Sequence, residues 1–276
     1  MTMNTTRRRA LELIAAGSAL ALAPTALAAA GRRIERIGLQ LFTVRELLDQ
    51  DAAATLAKVA EVGYAEVETA GTGNLSADRF AEALGNAGLT APSAHVPLDF
   101  MAEQPDAVLA TAQTIGYDYI VLPWIPPDQR TLAGYARVID TLNRFGEQCA
   151  RSGIQLCYHN HDFEFERLGG DIPYQLLLTE CDPTLVRFEL DFFWAAEAGV
   201  SAEAMLTADP PRFPLCHVKD RTAGGEMTEV GRGTIDFPAL FAAGSGLAHY
   251  FVEHDRPADA LESIRVSFAA VNAMRF

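Results

Sequence analysis

From Arg36 onward the chain alternates short apolar runs with longer amphipathic stretches. Runs of that length suit strands, whose side chains alternate between two faces, while the stretches between them carry apolar positions at helical spacing. The predicted strands are Ile37–Phe42, Tyr64–Thr69, Thr90–His95, Tyr117–Pro123, Ile154–His159, Val186–Asp191, Leu215–Lys219 and His249–Glu253, with helices such as Ala52–Val62 and Ala77–Ala87 between them. Glycine stands where several helices should give way to a strand, in Val62-Gly63-Tyr64, Ala87-Gly88-Leu89, Ile115-Gly116-Tyr117 and Ser152-Gly153-Ile154. A left-handed residue there ends the helix and turns the chain into the strand. Eight βα units, with no linker dividing them, predict an α/β protein whose residues 36–276 form a single-domain (β/α)8 TIM barrel. An open doubly wound sheet is the alternative. It is weakened because Gln40-Leu41-Phe42-Thr43-Val44 follows the first strand in place of a glycine-rich phosphate loop.

Residues 1–28 carry a different pattern: Arg7-Arg8-Arg9, an apolar stretch from Ala10 to Ala23 broken by Glu12, Gly17 and Ser18, then Ala26-Leu27-Ala28 as a small-x-small cleavage site. This is the form of an export signal, and its apolar run is too short to span a bilayer. Thr6-Arg7-Arg8-Arg9-Ala10-Leu11 resembles the twin-arginine signal, which implies a periplasmic protein exported already folded. No membrane association is expected once the signal is removed.

Composition, at 49% hydrophobic and 21% charged residues in 276, is that of a globular chain with ample core. A formal charge of −14, with no dense Lys/Arg stripe beyond the N-terminus, argues against nucleic acid as a partner. A neutral small molecule or a cation fits better, and the reading allows a homo-oligomer. The four cysteines, Cys149, Cys157, Cys181 and Cys216, are compatible with two disulfides, although Cys157 and Cys216 sit in apolar runs and read as small buried hydrophobes.

The polar residues that end the apolar runs carry the chemistry: Gln40, Glu66 and Glu68, His95, His159 and His161, Glu189 and Asp191, His217 and Lys219, then Glu253 and Asp255. In a barrel these converge. Strands five to eight then offer His159, Asp191, His217 and Glu253, a mixed nitrogen and oxygen set suited to one divalent ion such as Mn²⁺, Zn²⁺ or Co²⁺. A carboxylate in the apolar setting of Asp191 is costly unless paired or coordinated. His95 is either a substrate contact or structural, and Glu68 either reaches the pocket or is a solvated loop carboxylate.

Taken together, Ile37–Arg45, Tyr158–Phe165, Glu189–Trp194, His217–Asp220, Val230–Phe237 and Phe251–Asp255 resemble the motifs of the sugar phosphate isomerase/epimerase superfamily, the xylose-isomerase-like barrels. The resemblance covers roughly Ile37 to the C-terminus. It implies one metal held at strands five to eight by Glu, Asp, His and Glu. Asp191, His217 and Glu253 match the last three, while His159 stands in place of the first glutamate. It also implies proton transfer next to a sugar carbonyl, with Glu253 in the place of a base; Lys219 and His161 by their positions, and Glu164 from the following loop, are further candidate catalytic groups. Gln40, Glu68, His95, Trp124 and Trp194 are candidate substrate contacts, the tryptophans by stacking on a sugar ring.

The expected activity is a metal-dependent isomerase or epimerase acting on an unphosphorylated sugar or glycoside, since no glycine-rich nest or arginine cluster near the last strands offers a phosphate site. Relatives with the Tyr158-His159-Asn160-His161 pattern look similar to enzymes of 3-keto-glycosides, which makes a lyase or hydrolase on the same site the alternative. A non-catalytic periplasmic sugar-binding protein is the reading from a different class.

Overall fold

Eight strands close into a parallel barrel in the computed structural model, which describes residues 31–276. They are β1 (Gly38–Gln40), β2 (Glu66–Thr69), β3 (Thr90–His95), β4 (Tyr119–Leu122), β5 (Gln155–His159), β6 (Val186–Asp191), β7 (Leu215–Val218) and β8 (His249–Val252). Each pairs with its sequence neighbours, and β1 closes the ring against β8 through Gly38 opposite Phe251. The predicted TIM barrel is the observed fold. The export signal read over residues 1–28 lies outside the described residues.

Thr90–His95, Val186–Asp191 and the helices Ala52–Val62 and Ala77–Ala87 have the predicted ends. Gly63, Gly88, Gly116 and Gly153 all have positive φ, as the junctions require. The first strand is shorter than its apolar run, because the Gln40 side-chain oxygen accepts a hydrogen bond from the Phe42 amide at 3.0 Å. The chain tightens there into a 3-10 turn over Leu41–Val44. A local side-chain acceptor has outcompeted the ladder.

Two separate apolar cores follow from strand alternation. Outward-facing Leu39, Val67, Ile120, Leu156, Phe188 and Val218 pack beneath the helices with Leu56, Phe80, Val138 and Leu142. Inward-facing Val121, Cys157, Leu215 and Phe251 fill the barrel lumen below the strand ends. Phe251 needs a glycine across from it: a Cβ on Gly38 would overlap its ring. All four cysteines are buried and free, so the two-disulfide option is corrected in favour of small core residues. Among the described residues no helix is long and apolar enough to cross a membrane.

Beyond β7 the chain is held by one carboxylate. Asp220 accepts from the amides of Arg221 (2.8 Å), Gly231 (2.9 Å), Gly233 (2.9 Å) and Ile235 (3.3 Å). This explains the Val230–Phe237 motif structurally, because the loop folds around Asp220 next to Lys219.

Gly38→Ala should destabilise the barrel by roughly 1–3 kcal/mol through overpacking. Combining it with Phe251→Leu should cost less than the sum of the two, as expected for residues in contact. Urea unfolding of the four proteins measures the coupling; strict additivity would refute the plug.

Candidate active site

The polar ends of the inward-facing strand positions meet above the lumen core in two tiers. The lower tier centres on Glu68 and Glu189, both fully buried. Glu68 accepts from Gln40 Nε2 at 2.7 Å and Ser93 Oγ at 2.5 Å, and its Oε2 lies 2.6 Å from His217 Nε2. Glu189 Oε2 gathers three imidazoles: His95 Nε2 at 2.9 Å, His159 Nδ1 at 3.1 Å and His217 Nε2 at 3.1 Å. An ionised carboxylate only accepts, so these contacts put hydrogens on His217 Nε2 and His159 Nδ1. The opposite nitrogens, His217 Nδ1 and His159 Nε2, are thereby the ones free to coordinate.

Those nitrogens face the upper tier. His217 Nδ1 lies 2.7 Å from Glu253 Oε2 and 3.8 Å from Asp191 Oδ2, and His159 Nε2 lies 3.7 Å from the same Asp191 oxygen. His217 Nδ1 and Asp191 Oδ2 are buried without an aligned hydrogen bond. Asp191, His217 and Glu253 thus form one group able to hold an ion, with His159 Nε2 at its edge, 3.7 Å from Asp191. His95, His159, Glu189 and His217 form a second such group. There, however, the imidazole N–H groups are already spent on the carboxylate, the usual arrangement behind a metal-ligating histidine.

Charge balance agrees with a cation. Burial would lower the His217 pKa, but Glu189 and Glu253 hold it well above the ordinary histidine value. Burial would likewise lower Lys219, yet Asp191, Glu253 and Asp255, at 3.0, 2.7 and 2.9 Å from Nζ, keep it well above its usual value. Asp191 itself is pushed up to about 6 by burial, against the pull of Lys219. The three carboxylates around Lys219 therefore draw protons onto nearby groups, and a divalent ion held by Asp191, His217 and Glu253 would replace the proton on His217 Nδ1.

The family model described as xylose isomerase-like TIM barrel matches residues 56–244, more than half of the chain. The chain belongs to the xylose isomerase-like TIM barrel family. A sugar phosphate isomerase/epimerase from Parabacteroides distasonis shares 26% identity, with 91% of this chain and 96% of that one covered and a TM-score of 0.73. An L-ribulose 3-epimerase (17% identity, 86% and 93% covered, TM-score 0.66) and the IolI protein with a binding zinc atom (16%, 87% and 99%, 0.71) share the fold. No curated protein matches the chain.

Within this member of the family, a cleft of about 1000 Å³ opens above the upper tier. His95, His159, His161, Lys219, Glu253 and Trp124 line it. Gln40 and Glu68 lie beneath it as hydrogen-bonded supports. Trp194 sits behind, its ring centroid 5.2 Å from that of His161, while its amide donates to Asp191 Oδ1 at 3.0 Å. Asn160, on the opposite strand face, accepts from the Asp191 amide at 3.0 Å and so registers β5 against β6.

Glu164 does not join the cleft. Its carboxylate is fully buried on the Tyr158 side of the strand, accepting from Tyr158 Oη at 2.6 Å and the His161 amide at 2.8 Å. It positions His161. Glu189 received no role from the sequence, although its place two residues before Asp191 puts it on the same strand face.

Burial pushes the Glu164 pKa up to about 7, against the lowering effect of Tyr158. A carboxyl raised in the folded state gives stability that is full below the unfolded value near 4.5 and is lost as pH rises through about 7. The gap corresponds to about 3 kcal/mol. Glu164→Gln should therefore match the parent at pH 4.5 and exceed it at pH 8 in thermal unfolding; a pH-independent difference would contradict this.

Proposed function

We propose that the protein is a divalent-metal-dependent isomerase or epimerase of an unphosphorylated sugar, working by proton removal next to a carbonyl. The observation that carries this reading is the convergence of Asp191, His217 and Glu253 into one group able to hold an ion, with His159 Nε2 3.7 Å from Asp191 Oδ2 and both imidazoles oriented by carboxylates behind them. The sugar-isomerase and epimerase relatives support it, and the zinc of the IolI protein is consistent with a mixed nitrogen and oxygen donor set. A bound divalent ion would supply Lewis acidity for the enediolate charge that develops when the carbon-bound proton leaves. In the proposal the export signal of residues 1–28 sets this reaction in the periplasm.

The chain's own groups divide the remaining work. Burial, followed by the nearby positive charge of Lys219, lowers the His161 pKa well below its ordinary value, so the ring is neutral and able to accept a proton. Its Nδ1 has no hydrogen-bond partner. Lys219, held as an ammonium among three carboxylates, would serve the developing oxyanion by exchanging one of those contacts for it. Glu253 is kept ionised: burial opposes this, but Lys219 and His217 lower its pKa strongly. It orients Lys219 and is the second candidate for moving the proton.

A lyase on 3-keto-glycosides, the reaction implied for the Tyr158–His161 pattern, is the second reading. The placement of Glu164 favours it. With that carboxylate turned behind the strand and His159 in place of a glutamate, Glu253 is the one glutamate left to line the cleft, while His161 and Lys219 suffice as base and acid for an elimination.

Metal-loaded protein incubated with ketoses in D₂O should place deuterium on the carbon beside the carbonyl, and with 3-keto-glycosides should release the aglycone if the second reading holds. His161→Ala should slow either reaction roughly 10²–10⁴-fold. Neither exchange nor release under any metal would leave the binding protein as the surviving interpretation. Glu189→Gln should weaken metal binding about 10–100-fold in chelator competition, since it removes the acceptor behind two imidazoles. Unchanged affinity would refute the two-tier assignment.

A further inference from the structure

Among the described residues, three of the four large apolar side chains that stand well exposed share one place, Leu132 being the exception. Phe42 (40% exposed), Phe100 (48%) and Trp124 (44%) all line the cleft above the upper tier. Clustered exposure of this kind marks a binding surface, whereas scattered apolar residues need no explanation.

These aromatics are held in place. Phe100 belongs to the short helix Leu98–Glu103, whose next residue, Met101, is buried in the core, so the ring is presented outward on an anchored segment. Trp124 stands between Pro123 and fully buried Ile125, with the Arg130 guanidinium 5.2 Å from its ring centroid. Arg45 lies 4.1 Å from the Phe42 ring and donates to the carbonyls of Phe42 and Asp255 at 2.7 and 2.9 Å. Preorganised rings lose little freedom on binding.

The cleft divides by chemistry. His159, His161, Lys219 and Glu253 form one polar side, while Val96, Pro97, Val108 and Phe100 form a hydrocarbon wall continuous with it. At about 1000 Å³ the space is at the upper end for a drug-sized ligand, far more than one sugar ring fills. Of the three basic side chains that line the cleft, Lys219 is engaged by three carboxylates and Arg45 by two carbonyls, while Arg256 stands exposed at the rim.

We propose that the cleft takes a sugar joined to an apolar, planar group, with the sugar on the polar side and the attached group against Phe100 and Trp124. This rests on the reading of the polar side as a sugar site and names the substrate class it serves: aryl glycosides and their like.

The test compares 4-nitrophenyl with methyl β-D-glucosides and β-D-galactosides by calorimetric titration of the metal-loaded full chain. The aryl compound should bind roughly tenfold or more tightly, a preference that apolar contact with one ring supports. That ratio should collapse in Phe100→Ala and Trp124→Ala and return in Phe100→Tyr. Equal aryl and methyl affinities in the parent protein would overturn the proposal while leaving the sugar site standing. Binding of neither class would overturn both. Light scattering provides the remaining check: a change of oligomeric state in the rim variants with an unaltered aryl preference would make the rim a self-association surface and overturn the proposal.

Discussion

Two glutamates buried at the neck of the barrel set the terms for everything above them. A carboxylate without water or partners is prohibitively costly in such a place. Glu68 and Glu189 are tolerated because Gln40, Ser93 and three imidazoles point hydrogens at them. The same contacts hold His159 and His217 in one orientation, each with a ring hydrogen pointed at the carboxylates, so the lower tier's electrostatic need becomes the upper tier's geometry. Lys219 and His217 then take their high proton affinity from the surplus of negative charge around them.

Much of this is legible in the amino-acid order. Strands buried on both faces read as near-continuous apolar runs, and where such a run ends in His159, Asp191, His217 or Glu253 the polar residue must sit at the mouth. Glu189 was harder to place because it lies inside its run and looks like any strand residue until the partners on β5 and β7 are known. Glu164 illustrates a different limit. Three residues past His161, in the 3-10 turn Phe163–Phe165, strand alternation no longer says which way a side chain points. Its direction is decided by Tyr158, which supplies a hydroxyl on the far face of β5. Gln40 shows the same kind of local competition at the end of β1, where a side-chain oxygen ends a strand that periodicity would extend.

Family membership explains the barrel, while the loops that follow its strands supply the walls of the cleft. A shared fold leaves the loops free to vary chemistry. Here the segment after β3 forms a short helix that turns Phe100 toward the opening, and the segment after β4 pins Trp124 between prolines and a buried isoleucine. The exposed aromatics Phe100 and Trp124 thus stand on the β3 and β4 side and the clustered polar groups on the β5 to β8 side.

The aromatic plug of Phe251 against Gly38, with Val121, Cys157 and Leu215 around it, gives the barrel a dry septum below the charged tiers. Solvent therefore meets the reactive groups from one direction. A ligand long enough to fill the mouth would act as a stopper, because the septum leaves solvent no second way in.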